Sequence, residues 1–482
     1  MFVFDNTYAR LEGSFFARVQ PTKVREPRVF YVNRQLCELL GVDPERIDAD
    51  VFSGNVVPPG ADPIALAYAG HQFGAFVPQL GDGRAILLGE VVGKDGARRD
   101  VQLKGAGRTP FSRGGDGRAA LGPVMREVVV SEAMAALGIP TTRALVAVTT
   151  GQPVLREEAL PGAVLTRVAA SHLRVGTFEY FAARRDIDAL AALTAYALAR
   201  HCPGAGGEPV ALLDHVVGAQ ASLVARWLGV GFVHGVMNTD NTTISGETID
   251  FGPCAFLDEY NPEKRFSSID HAGRYAFQRQ PRIARWNVAR LGEALLPLLA
   301  NDEADGIRLA TECIERFVPR FEAAYDRVLR DKLGLAREEP EDRSLAESLL
   351  SLLAVDGVDY TIFFRKLCDV AGEASAEAAL LALFRNPLAF HDWLGAWRRR
   401  LALEEAPPGS RAAAMRTVNP AFIPRNHRIE QAIDAATHHD DFAPFHALTH
   451  VLSRPFANAP AGAHLADPPA PEERVTRTFC GT

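Results

Sequence analysis

The run His234-Gly235-Val236-Met237-Asn238-Thr239-Asp240-Asn241 is followed nine residues later by Asp250-Phe251-Gly252. The amide oxygen of Asn241 and the carboxylate of Asp250 are hard donors. They suit Mg2+ or Mn2+ that also holds substrate phosphates. Asp240 is the free acid of the loop once those two hold metal, and a free acid there can act as a base. A short strand over Glu247–Asp250 is expected to return the second acid beside the first. D-F-G alone recurs by chance; its spacing from H-G-x-x-N-x-D-N is what makes the pair informative.

Upstream residues extend the constellation. Gly81-Asp82-Gly83-Arg84 reads as a tight turn. Ala85–Val92 and Asp100–Lys104 read as two strands joined by a hairpin turn at 93–96. In the second strand Val101 and Leu103 share one face, Gln102 and Lys104 the other. Gly105–Arg118 is rich in glycine and arginine and reads as a loop that can approach a ligand closely. Gly122–Leu137 is a helix stopped by Gly138-Ile139-Pro140, with Glu127 about one and a half turns in. A strand lysine followed by a helix glutamate is the ion-pair layout of protein kinases, which also use an Asp, an Asn and a D-F-G Asp. Here the pattern is bent: His-Gly replaces His-Arg, and Asp240 abuts Asn241.

The remaining elements must position these groups. Residues 1–60 read as an N-terminal extension with a helix over Asn33–Leu40. Residues 61–160 read as a strand-rich lobe, although 65–79 has no assignable form. Residues 161–400 read as mainly helical, with helices over Ile187–Ala199, Ala211–Leu228, Asn287–Ala300, Ala304–Leu333, Ser344–Leu353 and Ala376–Leu383. Residues 401–482 read as a C-terminal extension ending in a loose tail from Ala466. Strands first, helices second and chemistry at the junction make an α+β fold.

A chain of 482 residues holds large cores. With 47% hydrophobic residues and 23% charged ones it has the composition of a soluble globular protein. The net charge of −7 does not favour nucleic acid. Six cysteines without a CxxC pair argue against structural zinc and a dense disulfide framework. The start MFVFDNTYAR lacks a signal peptide's basic region and apolar run. No apolar run approaches the ~18 residues of a membrane span. The expectation is a cytoplasmic protein with no nucleic-acid or membrane partner.

Taken together, K-G-A-G-R-T-P-F-S-R-G-G-D-G-R-A at 104–119, R-V-A-A-S-H-L-R-V-G-T-F from Arg167, H-G-V-M-N-T-D-N and I-D-F-G-P resemble the selenoprotein O family. The resemblance is clearest over residues 1 to about 290. It implies a protein-kinase-like bilobal fold and a protein adenylyltransferase that moves AMP from ATP to Ser, Thr or Tyr hydroxyls. The nucleotide would lie flipped relative to kinases. By the same resemblance Lys104 binds phosphate and Glu127 is its partner. Gly81, Gly83 and Arg84 form the nucleotide turn, and Asp116 and Gly117 contact nucleotide. Arg167 and Arg174 sit on the phosphates, Asp240 is the base, and Asn241 and Asp250 hold metal. Cys480 matches a C-terminal redox cysteine whose partner stays open, with Cys254 the nearest candidate.

Plainer readings stand beside these. On spacing alone Lys104 is a solvated strand residue, and Arg84, Arg167 and Arg174 are surface arginines. His234 braces a loop. Pro110 sits where a dinucleotide loop needs its third glycine. The motifs do not separate adenylyl transfer from γ-phosphoryl transfer by a true kinase, or from a silent ATP-binding pseudokinase acting as a regulatory module. UTP as a second donor, self-modification, and Mg2+ against Mn2+ also stay open.

Overall fold

A computed structural model describes residues 2–479. Cys480 lies outside the described residues. The fold is α+β: one antiparallel sheet flanked by helices, followed by a mainly helical half.

The sheet is built from β1 (Phe16–Arg18), β2 (Arg28–Val32), β3 (Ile64–Leu66), β6 (Ala85–Val92), β7 (Arg98–Lys104), β9 (Arg143–Leu155) and β10 (Ala159–Ala169). Their spatial order is β1-β3-β6-β7-β10-β9-β2, and the short β8 (Ala119–Ala120) pairs with β10. Residues 65–79, unassigned from sequence, supply the end of β3 and a separate small hairpin, β4 (Gly70–Gln72) with β5 (Ala75–Val77).

Alternation along β7 is as expected. Val101 and Leu103 point into an apolar layer covered by α1 (Arg34–Leu39) and α2 (Ala49–Ser53). Gln102 and Lys104 point the other way, because successive strand side chains take opposite faces. On that face α3 (Leu121–Ala136) packs against β9 and β10.

Beyond the sheet run α4 (Val175–Arg184), α5 (Ile187–His201) and α6 (Pro209–Val230), then β11 (Phe232–Val233) pairing with β12 (Ala255–Phe256) across the central loop. Next come α7 (Gln280–Leu299), α8 (Glu303–Glu315) and α9 (Phe317–Leu333). The single helix expected over Ala304–Leu333 is therefore two. Pro319 has no amide hydrogen for a bond to the carbonyl of residue 315, so the chain restarts with Pro319 inside a first turn. Helix α4 has no counterpart in the sequence reading.

The chain continues through α10 (Asp342–Asp356), α11 (Tyr360–Gly372), α12 (Glu377–Leu381), α13 (Pro387–Leu401), α14 (Pro408–Arg416), α15 (Asn426–His439) and α16 (Ala443–Leu452). Helices α15 and α16 return to pack on α3, which is thereby held between the sheet and the end of the chain.

Two further expectations need correction. Glu247–Asp250 is not a strand. Only Thr248 pairs, with Thr141, and at Asp250 the backbone turns to φ 62°, which ends any extension. The tail is not loose at its described end. Thr478 bridges Ser267: its amide donates to Phe266 O at 2.8 Å, and its hydroxyl to Pro253 O at 2.6 Å. No helix is long and apolar enough to cross a membrane among the described residues.

Candidate functional site

Three cations from separate elements meet on one carboxylate. Lys104, the last residue of β7, donates to Asp250 Oδ1 at 2.8 Å and to Glu127 Oε2 of α3 at 2.6 Å. Arg167 of β10 lies opposite Gln102 in the sheet register, and so shares the face of Lys104. Its Nη1 donates to Asp250 Oδ1 at 2.8 Å and Glu127 Oε1 at 3.2 Å. Arg174 immediately precedes α4. Its Nη1 reaches Asp250 Oδ2 at 2.8 Å and the backbone oxygen of Asp240 at 2.6 Å.

Burial alone would raise the Asp250 pKa. The charges of Lys104, Arg167 and Arg174 outweigh it and hold the carboxyl well below its usual range. Arg174 also lies over the Tyr68 ring at 4.6 Å. Burial disfavours its charge, but Tyr68, Asp250 and Asp82 keep its pKa raised. Left-handed backbone at a non-glycine residue such as Asp250 is uncommon and clusters at functional sites.

Asp240 sits in a one-turn 3-10 segment, Thr239–Asn241, and is buried. Gln72 of the β4 hairpin donates to its Oδ2 at 3.2 Å, while Oδ1 is buried without a hydrogen-bond partner among the described residues. Burial pushes its pKa up to about 6, with Arg174 pulling the other way. A carboxylate tuned into that range is suited to proton transfer near neutrality. The Asn241 amide donates to Val236 O at 3.0 Å, which fixes the plane of its side chain. His234 is the brace expected: its Nε2 meets Ile249 O at 2.9 Å, tying the two motif loops together. Glu179 of α4 accepts from Thr239 and pairs with His71, each at 2.5 Å.

The glycine-rich loop folds over the turn at 81–84. Thr109 Oγ1 donates to Asp82 O at 2.6 Å, and Ser112 Oγ donates to Gly83 O. Gly81 has φ 78°, and a Cβ there would run into the Phe111 ring. Gly117 has φ 68°, and a Cβ there would strike the Gly107 carbonyl. Only glycine fits either place. The Asp116 carboxylate is occupied by Arg156 at 3.0 and 3.2 Å and caps the Arg118 amide at 2.9 Å.

These groups line one cleft of about 560 Å3. Gly81, Gly83, Arg84, Lys104, Asp116, Gly117, Arg167, Arg174, Asp240, Asn241 and Asp250 all border it, and Glu127 stands behind Lys104. Sequence reasoning missed further lining residues. Asp82 lies between the two flagged glycines; its Oδ2 accepts from Gln102 at 3.0 Å and the Leu66 amide at 3.2 Å. Arg113 and Arg118 sat inside the quoted loop without a role. Gln72 and Arg156 carried no signal, since neither lies in a recognisable pattern.

The Asn241 amide oxygen and the Asp250 carboxylate are of the hard donor type that Mg2+-like cations take. Among the described residues no group of three or more His, Cys, Asp or Glu could hold a metal ion. Asn241 and Asp250 offer two hard oxygens in the cleft, and such ions are commonly held by one or two side chains plus substrate phosphates.

Residues 2–453 match the family described as "Protein adenylyltransferase SelO". The chain is 58% identical to the "Protein nucleotidyltransferase YdiU" of Rhizobium rhizogenes, over 99% of this chain and 97% of that protein. It is 57% identical to the protein of the same name from Rhizobium etli strain CIAT 652, over 100% and 97%. It is 56% identical to that of Rhodopseudomonas palustris strain HaA2, over 100% and 99%.

Proposed function

The chain belongs to the SelO protein adenylyltransferase family, and from that premise we propose how its cleft carries out the transfer. The enzyme is a protein nucleotidyltransferase that uses ATP and modifies proteins. The acceptors in this reading are Ser, Thr and Tyr hydroxyls.

The observation that carries the reading is the cationic cluster on Asp250 beside buried Asp240. The attacking oxygen forms a bond to the α-phosphorus of ATP. Its proton passes to the Asp240 carboxylate, and the bond from the α-phosphorus to the bridging oxygen breaks, releasing pyrophosphate. The leaving group carries high negative charge. Lys104, Arg167 and Arg174 supply fixed positive charge, and arginine forks suit phosphate oxygens. Removing one such contact typically costs about 10²–10³ in rate. Glu127 orients Lys104. Gly81, Gly83 and Gly117 let the backbone approach the nucleotide, with Arg84 and Asp116 at the rim. Mg2+ or Mn2+ on Asn241 and Asp250 supplies charge neutralisation of the phosphates when bound.

We read residues 61–160, with α3 and the strands β3, β6, β7 and β9, as the N-lobe of a kinase-like bilobal fold, whose sheet is completed by β1 and β2 from the N-terminal extension and by β10. The helical part over 161–400 is the C-lobe, and 1–60 and 401–482 are extensions. Cytoplasmic location accords with this substrate chemistry.

The test is a metal titration of ATP binding and transfer in Asn241→Ala, Asp250→Ala and Asp240→Asn. The first two should weaken the response to metal, and Asp250→Ala should abolish metal-dependent transfer. Asp240→Asn should bind ATP yet transfer poorly. Full activity in Asp250→Ala would refute the metal assignment.

A further inference from the structure

A second groove, of about 710 Å3, opens beside the catalytic cleft. Its lining includes Phe73, Arg274, Arg279, Arg282, Arg285 and Trp286. Phe73 also lines the cleft, so the two adjoin at that residue. The junction is tied to the motif loop. The Phe73 amide and the Tyr275 hydroxyl both donate to Asn238 Oδ1, at 3.1 and 2.6 Å. The preceding residue, Gln72, holds Asp240.

The groove has an aromatic floor and a guanidinium rim. The Arg274 and Arg290 guanidinium carbons lie 4.9 and 4.8 Å from the centre of the Trp286 ring. Arg282 and Arg285 are exposed and three apart on α7, so they share a face.

Nearby carboxylates are already engaged. Glu263 pairs with Arg279 at 3.1 Å and Glu293 with Arg290 at 2.6 Å. Asp270 accepts from the backbone amides of Arg274 and Tyr275, each at 2.8 Å. Among the described residues Arg274, Arg282 and Arg285 have no carboxylate partner. Unpaired positive charge is thus concentrated beside the reacting centre of a chain whose net charge is −7.

We propose that this groove docks an acidic segment of the acceptor protein, next to the hydroxyl that enters the cleft. The proposal rests on the adenylyl-transfer reading above. Guanidinium forks pair with carboxylates in two-point geometry, and a half-buried tryptophan offers the aliphatic stems of Asp and Glu a surface. Complementary charge of this kind sets partner choice and encounter rate more than raw affinity.

The test uses two serine peptides of equal length, one flanked by Asp and Glu and one by Asn and Gln. Fluorescence anisotropy reads their binding, and AMP incorporation reads their modification. The full chain should bind the acidic peptide about tenfold tighter at low salt, and the difference should shrink as salt rises. The same preference should appear in kcat/KM, mainly through KM. Arg282→Glu combined with Arg285→Glu should remove or invert it. Equal binding of both peptides, or a preference unchanged in the double variant, would overturn the proposal. Acid-selective binding without AMP incorporation into either peptide would leave docking intact and contradict the transfer reading instead.

Discussion

Gly70 and Asp240 are packed so closely that a methyl group on Gly70 would lie 2.8 Å from Asp240 Oδ1. The β4 hairpin therefore sets the position of the buried carboxylate on two sides: by the missing side chain of Gly70 and by the Gln72 hydrogen bond. Gly70→Ala should displace Asp240 while leaving the cationic cluster in place. A misplacement on the scale of an ångström can cost about 10²-fold in rate. The expected outcome is a loss of transfer of that order with ATP affinity retained, read by steady-state rates and by calorimetry. A variant with normal rates would show that Asp240 tolerates movement.

Arg167 is almost fully buried and serves Asp250, Glu127 and Gln102 together. Arg167→Met leaves buried Glu127 with Lys104 alone, and Asp250 with Lys104 and Arg174. Breaking a buried pair by removing one partner typically costs about 3–5 kcal/mol. Denaturant unfolding should report a loss in that range. Lys104 at the mouth of the same cluster is slightly more exposed, so Lys104→Met should lose less stability for a comparable loss of transfer.

Much of this site was legible in the sequence, for reasons tied to particular residues. Alternation in β7 put Gln102 and Lys104 on one face, and the H-G-x-x-N-x-D-N and D-F-G motifs pointed to Asp240, Asn241 and Asp250. The glycines at 81 and 117 mark backbone that no other residue could adopt there. What escaped was set by tertiary contact. Gln72 reaches Asp240 from a hairpin of three-residue strands, too short to leave a periodic signal. Helix α4 is only ten residues long and opens on Arg174 and Val175-Gly176, without the Ser, Thr, Asp or Asn that marks a helix start. The pairing of Asp116 with Arg156 joins residues forty apart, and nothing local encodes it.

Lys332 does not line the cleft and belongs to α9 in the helical half. It is buried, donates to Asn419 Oδ1 at 2.9 Å and sits over the Phe364 ring at 4.0 Å. Burial lowers its pKa to about 7, against an ordinary value near 10.5. Between those values the unfolded chain binds the proton and the folded chain does not, so this residue makes stability rise with pH. The slope is at most about 1.4 kcal/mol per pH unit. Lys332→Met should flatten the rise in unfolding midpoint between about pH 7 and pH 9. An unchanged slope in the variant would place the Lys332 titration outside that window.

The bridge between Thr478 and Ser267 fastens the end of the described chain beside the residues that follow D-F-G. Thr478→Pro removes the amide donated to Phe266 O. Hydrogen exchange at Ser268, whose amide donates to Thr478 O at 3.1 Å, should accelerate in that variant, with exchange in α6 unchanged. Unchanged exchange at Ser268 would mean that the segment is held by other contacts.

The central claim is that the cleft presents the α-phosphate of ATP to a protein hydroxyl. Intact mass spectrometry after incubation with ATP, Mg2+ or Mn2+ and an acceptor protein tests it most directly, and also reports self-modification and, with UTP, the choice of donor. The account predicts additions of about 329 Da, one AMP less water, that disappear in Asp240→Asn. Additions of about 80 Da would mean phosphoryl transfer from the γ-position and would contradict it.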